Sequence, residues 1–211
     1  MNNSEQKYVG SDYSQTTAMP KIKTTTMMTY IILVLVILGI YNFVDFNLPA
    51  MPTMVDRVVF MTRWHFLTVL TFLHMLQFVL YKRGTVAWNP MNPTTAHLVE
   101  VENRVLTNSV EQLILFVGTT TILTTYLEES RMALIPILII TWCFGRLLFG
   151  YGYIYHPIYR VPGFGINYGI IVNLSAALFY YTFSTQSMFM TIPAFGFLIF
   201  HIFAEFQFLF S

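Results

Sequence analysis

The sequence predicts an all-α, polytopic transmembrane helical bundle, and three observations carry that prediction. Of 211 residues, 55% are hydrophobic and only 10% are charged, more apolar side chain than a water-soluble domain could hide. Uncharged runs long enough to cross a bilayer recur, separated by short segments rich in Pro, Asn and charge. One polar stripe, Arg104, Asn108 and Glu111, opens a run that is otherwise apolar. The formal charge of +1 points to neither nucleic acid nor an acidic partner. The single cysteine, Cys143, excludes an internal disulfide and reads as packing inside an apolar run.

Residues 1–23 are polar, carry Lys7, Lys21 and Lys23, and lack a cleavable signal pattern; they read as a disordered cytoplasmic tail. The first span runs from about Thr24 to Val44 without a charge. At roughly 1.5 Å per residue such a run crosses a hydrocarbon core of about 30 Å. A loop with Asp45, Pro49, Pro52 and Asp56 follows. The second span, between Arg57 and Lys82, carries Arg63, His65 and His74. Arg63 and His65 are expected to snorkel to the interface, while the deeper His74 reads as a neutral ring satisfying a neighbouring helix.

Asn89-Pro90 and Asn92-Pro93 break the chain before a third span, from near His97 to Tyr126. The fourth begins at Met132, holds Pro136 in an early turn and Arg146 in its interior, and ends near Tyr155. A loop to about Gly165 contains Pro157, Arg160, Pro162 and Gly163. The fifth span, about Ile166 to Phe183, is short enough to be one arm of a broken or re-entrant pair. A sixth, Met188 to Phe210, places His201 and Glu205 one turn apart, with Glu205 solvated at the interface. If the N-terminus is cytoplasmic, Lys7, Lys21, Lys23, Lys82, Arg83, Arg104 and Arg160 fall inside and Arg57 and Arg131 outside. The positive-inside rule therefore puts both termini of a six-span chain in the cytoplasm.

Offsets of four and seven residues bring Asn108 and Glu111 close to the azimuth of Arg104. Facing lipid, such a stripe would cost roughly 2.5 to 3.5 kcal/mol for each charge at the bilayer centre. It therefore faces protein, water or a polar ligand, and an inter-helix clamp and a ligand site both satisfy that demand. A short turn at Glu128-Glu129-Ser130 makes the third and fourth spans antiparallel, which is expected to set Glu111 and Arg146 at one depth as a pair. Gly145, Gly150 and Gly152 allow close approach of another helix or a ligand. The result is a recess open to the cytoplasm, with Arg104, Asn108, Tyr151 or Tyr153, and Arg160 around its mouth. Guanidinium forks match carboxylates and Glu111 could take an ammonium, so the recess suits a small amphoteric anion.

These residues resemble the membrane-associated proteins in eicosanoid and glutathione metabolism, the MAPEG family. One signature places Asn four residues after Arg and Glu three further on, as in Arg104, Asn108 and Glu111. A second, on the following helix, is Arg, an aromatic three later, then Gly-Tyr, as in Arg146, Phe149, Gly152 and Tyr153. The resemblance implies a four-helix core over residues 58–185, extended here by one helix at each end (24–57 and 186–211). It also implies a homotrimer with glutathione as co-substrate in cytoplasmic-side clefts between subunits, and a location in the endoplasmic reticulum or a related endomembrane. Arg104, Asn108, Glu111, Arg146 and Tyr153 would bind glutathione. Arg160, at the spacing of the arginine that activates the thiol in the leukotriene-synthase type, would be catalytic. The implied activity is a glutathione transferase or peroxidase acting on lipophilic electrophiles. The alternative is a non-catalytic scaffold for lipid binding or trafficking, and the extra helices resemble the mattrin-like animal branch. The chain departs from the family pattern at Phe149 and Gln112, where tyrosines are usual, and at Pro157, on the path to Arg160. No metal site is expected.

Overall fold

The computed structural model describes residues 15–89, 92, 94–185, 196 and 199. Within them the secondary structure is helical, and the order is α1 (Gln15–Phe43), α2 (Met54–Trp64), α3 (Phe66–Val86), α4 (Glu100–Tyr126), α5 (Leu134–Tyr155) and α6 (Val161–Thr185). Short 3-10 turns at Ala96–Val99, Glu129–Arg131 and Pro157–Arg160 lead into α4, α5 and α6. Among the described residues four stretches are long and apolar enough to cross a membrane: Ile22–Phe43, Met54–Val86, Glu129–Tyr155 and Ile158–Ser184. The chain is an integral, multi-pass membrane protein. At 27 residues α4 spans about 40 Å and packs among these helices, but its polar stripe keeps it from matching them in hydropathy.

Helix α2 starts at a capping box. Thr53 accepts from the Asp56 backbone at 3.2 Å, and Asp56 accepts from the Thr53 backbone at 3.1 Å. The second span is broken at His65. Thr68 donates its hydroxyl to the His65 carbonyl at 2.7 Å, while the imidazole turns inward to Thr120 of α4 at 3.0 Å. His65 is thus buried between helices, and the expectation that it snorkels does not hold. His74 does meet a neighbouring helix, with Nε2 2.8 Å from the Tyr151 hydroxyl of α5.

Two further boundaries differ from the sequence expectation. Residues 15–23, read as part of an irregular tail, are the first turns of α1, because a helix nucleated in an apolar span extends into polar residues at little cost. The fifth span begins at Val161 rather than Ile166 and is a full 25 residues. Pro162 lies in its first turn, where a missing N–H breaks no intrahelical bond. The expected sixth span, with His201 and Glu205, lies outside the described residues.

The core is built from α4, α5 and α6, with α2 and α3 against α4 and α5. Phe116 and Trp142 stack at 5.1 Å across the α4–α5 contact. Helix α5 closes on α6 through glycines. A Cβ on Gly145 would lie 2.7 Å from Ile166 Cγ2, and one on Gly163 would strike the Phe149 backbone. Helix α1 lies against α6, where Gly169 admits the Tyr30 ring and the Tyr30 hydroxyl donates to Asn173 at 3.3 Å. At one end of the bundle the α1–α2 loop meets the α4–α5 turn. The Met51 N–H donates to Glu129 at 2.7 Å, and Arg57 donates to the Leu127 carbonyl. Arg131 reaches the Tyr181 hydroxyl of α6 at that same end.

Candidate functional site

The opposite end carries the polar stripe. Lys82, near the end of α3, pairs with the buried Glu102 at 3.7 Å and fixes the start of α4 against α3. The outer face of α4 then lines an open groove of about 700 Å³, with His97, Glu100, Arg104, Thr107, Asn108 and Glu111 along its wall. Offsets of three, four and seven residues, as from Glu100 to Arg104 and Thr107 and from Arg104 to Asn108 and Glu111, are those of one helix face. Arg104 pairs with Glu100 one turn before it, and its charge also interacts with the Tyr153 hydroxyl of α5.

Arg160 arrives at the same place. The chain reverses after Tyr155, and the Pro157–Arg160 turn folds back onto α5, where Gly152 leaves room for the Tyr159 backbone. His156 holds the turn by accepting from the Ile158 N–H at 3.2 Å. The Arg160 guanidinium thereby lies 4.6 Å from the Tyr153 ring centroid. Such a stack contributes about 0.5 to 1 kcal/mol at a partly exposed site. Tyr153 is therefore flanked by two guanidiniums, one from α4 and one from the turn before α6. Pro157 opens the turn that delivers Arg160 rather than diverting it.

Arg146 is placed differently from Arg104 and Arg160. Its side chain is fully buried, one layer behind the groove. Nε donates to the Asn167 side-chain oxygen of α6 at 3.1 Å, and Nη1 donates to that of Asn108 at 3.0 Å. The expected Glu111–Arg146 pair does not form. Glu111 is exposed on the groove face, and among the described residues Arg146 takes only neutral acceptors. Asn108 stands between the two regions, with its oxygen held by Arg146 and its side chain on the groove wall. Phe149 is buried with its ring 4.4 Å from the Arg146 guanidinium. Of the six sequence-derived site residues, Arg104, Asn108 and Glu111 line the groove, Tyr153 and Arg160 stack together on the α5 side of Arg104, and Arg146 lies behind Asn108.

The MAPEG family model matches residues 64–180, more than half of the chain. The chain belongs to the MAPEG family. Two curated relatives are transmembrane protein 79 of Bos taurus and of Mus musculus, each 25% identical over 150 residues. The matched segment is 70% of this chain but 38% of either relative, so the chain spans well under half of their length. No solved structure matches the chain.

Within this MAPEG chain the sequence reading missed Asn167, which anchors Arg146 and also donates to the Trp142 carbonyl at 2.9 Å. An Asn in a long apolar helix was the available signal, because a buried amide must find partners on another helix. Ser109, 3.4 Å from Arg146 Nη1, gave no such signal. Its hydroxyl is also satisfied within its own helix, by the Val105 carbonyl.

Proposed function

We propose that this MAPEG protein binds glutathione in the α4 groove and uses it as a transferase or peroxidase acting on lipophilic electrophiles dissolved in the bilayer. The observation that carries this reading is the convergence of Arg104 and Arg160 on Tyr153, beside Asn108 and Glu111. Arg104 and the Asn108 amide suit the carboxylates and carbonyls of a tripeptide, and Glu111 suits its ammonium. Arg160 supplies the charge next to the sulfur. A free thiol has a pKa near 8.5, and an adjacent cation lowers it and raises the thiolate fraction at neutral pH. The sulfur lone pair then forms the new bond to the electrophilic carbon, and the leaving group departs with the bonding pair. With a hydroperoxide the same thiolate attacks the terminal oxygen and breaks the O–O bond; the alkoxide leaves and takes a proton from water, and a second glutathione thiol displaces water from the resulting sulfenic acid to give the disulfide.

The groove wall is essentially one helix, and Glu111 stands about 16 Å along it from Glu100. Against lipid that carboxylate would be costly, so a second copy of the chain covers this face, and a homotrimer closes the site. Both termini face the cytosol of an endoplasmic reticulum or related endomembrane. The placement of Phe149 favours a second reading, a scaffold for lipid binding or trafficking. Its ring is buried against Arg146, and the hydroxyl usual at that position is missing. A thermal-shift titration of the purified protein with glutathione and with its S-hexyl derivative separates the two. Saturable stabilisation by both supports the glutathione reading, and no shift with either supports the scaffold.

A further inference from the structure

Behind the groove, the bundle interior holds a second polar centre. Arg146 uses Nε and Nη1 on neutral partners, but its Nη2 is buried without an acceptor. One turn back along α5, Trp142 is 1% exposed and its Nε1 also has no acceptor. On α4, Gln112 has its Oε1 buried without a donor. Gln112 lies one turn from Asn108, which holds Arg146, and one turn from Phe116, which stacks on Trp142. Helical register thus sets Gln112 at the level between Trp142 and Arg146, and the guanidinium carbon is 6.0 Å from the indole centroid.

Charge decides what fits this layer. Among the described residues the ion pairs join Lys82 to Glu102 and Arg104 to Glu100, and no carboxylate lies within pairing distance of Arg146. A permanently protonated guanidinium in a membrane bundle, held only by amides, a hydroxyl and a backbone carbonyl, calls for a counter-charge. We propose that Arg146, Trp142 and Gln112 bind a small monovalent anion of halide size inside the bundle. The guanidinium and indole groups can only donate, and a half-turn of the Gln112 amide presents its NH2 as a third donor. Phe149 closes one side of the guanidinium at 4.4 Å. Gln112 is half-buried and follows Glu111 of the groove wall, which gives the anion a route from the aqueous mouth. A water molecule would satisfy the donors but leave the charge unbalanced. The site is independent of glutathione.

The test uses purified full-length protein without glutathione, at constant ionic strength, with gluconate replaced stepwise by chloride or bromide. Melting temperature should rise and saturate with the halides. In a Trp64→Phe, Trp88→Phe background, where Trp142 is the sole indole, bromide should quench fluorescence along a saturating curve. Trp142→Phe keeps a ring against Phe116 and removes only the donor, and it should weaken or abolish the saturable stabilisation; Gln112→Leu should do the same. Equal melting temperatures in gluconate and halide, strictly linear quenching, or full halide stabilisation in Trp142→Phe would each overturn the proposal. The first two results would leave water in the layer, and the third would put the halide elsewhere.

Discussion

Arg146 Nη1 donates to the Asn108 side-chain oxygen at 3.0 Å, joining a fully buried cation of α5 to a groove residue of α4. The Nε bond to Asn167 adds α6, so one guanidinium ties three helices together. Hydrogen bonds to charged groups contribute about 1.5 to 3 kcal/mol each. Asn167→Leu should therefore lower stability by roughly 2 to 3 kcal/mol, since it also leaves the Trp142 carbonyl without its donor. Glu111→Gln, on the exposed face, should change stability little. Unfolding in mixed detergent reads both, and equal losses from the two variants would restore Glu111 as the partner of Arg146.

Gly152 sets the position of Arg160. A Cβ there would collide with the Tyr159 backbone, which cannot move without displacing the Pro157–Arg160 turn. Gly152→Ala should cost about 1 to 3 kcal/mol, as overpacking does in tight contacts. Gly39→Ala is the control, because no atom lies within 4 Å of its added carbon. That variant should be neutral or slightly stabilising, as expected for Ala in a helix interior. Paired thermal melts check the contrast, and similar values for both would argue against the folded-back turn.

His65 and Thr120 give a third prediction. Thr120→Val removes the hydroxyl 3.0 Å from the buried imidazole and should destabilise by about 1 to 3 kcal/mol. A ring snorkelling to the headgroups would not notice the change. A neutral Thr120→Val variant would therefore place His65 at the interface.

Much of this was readable in the chain, for reasons that also explain what was not. Hydropathy located the spans because a bilayer imposes a minimum apolar length. The Arg104–Asn108–Glu111 spacing marked one helix face, and those residues do line one groove. Pairing Glu111 with Arg146 failed because matching depth fixes height along a helix and not azimuth. Glu111 is about 60° around α4 from Asn108, enough to point it outward while Asn108 and Ser109 turn to α5. His65 was misplaced because α2 begins at Met54, which sets the ring roughly 16 Å along the span. Asn167 carries no charge that demands a partner, so only the fold reveals what it holds.

Topology can be checked with tags at residue 2 and at the C-terminus, both expected to face the cytosol. The contacts of Met51 with Glu129 and of Arg131 with Tyr181 gather the α1–α2 loop, the α4–α5 turn and the end of α6 on one side. Modification reagents in sealed vesicles should reach that side only from the lumen. Labelling of Glu129→Cys from the cytosolic side would reverse the orientation.

The central claim is that the groove binds glutathione and that Arg160 ionises its thiol. The most direct measurement is the ultraviolet absorbance of thiolate as glutathione is added to purified protein at neutral pH. The wild type should give a saturable thiolate signal. Arg160→Ala should keep binding but lose that signal, whereas Arg104→Ala should weaken binding itself by about 1.5 to 3 kcal/mol, roughly 10- to 150-fold. Saturable binding in the wild type without any thiolate signal would contradict the account and leave a glutathione-responsive scaffold.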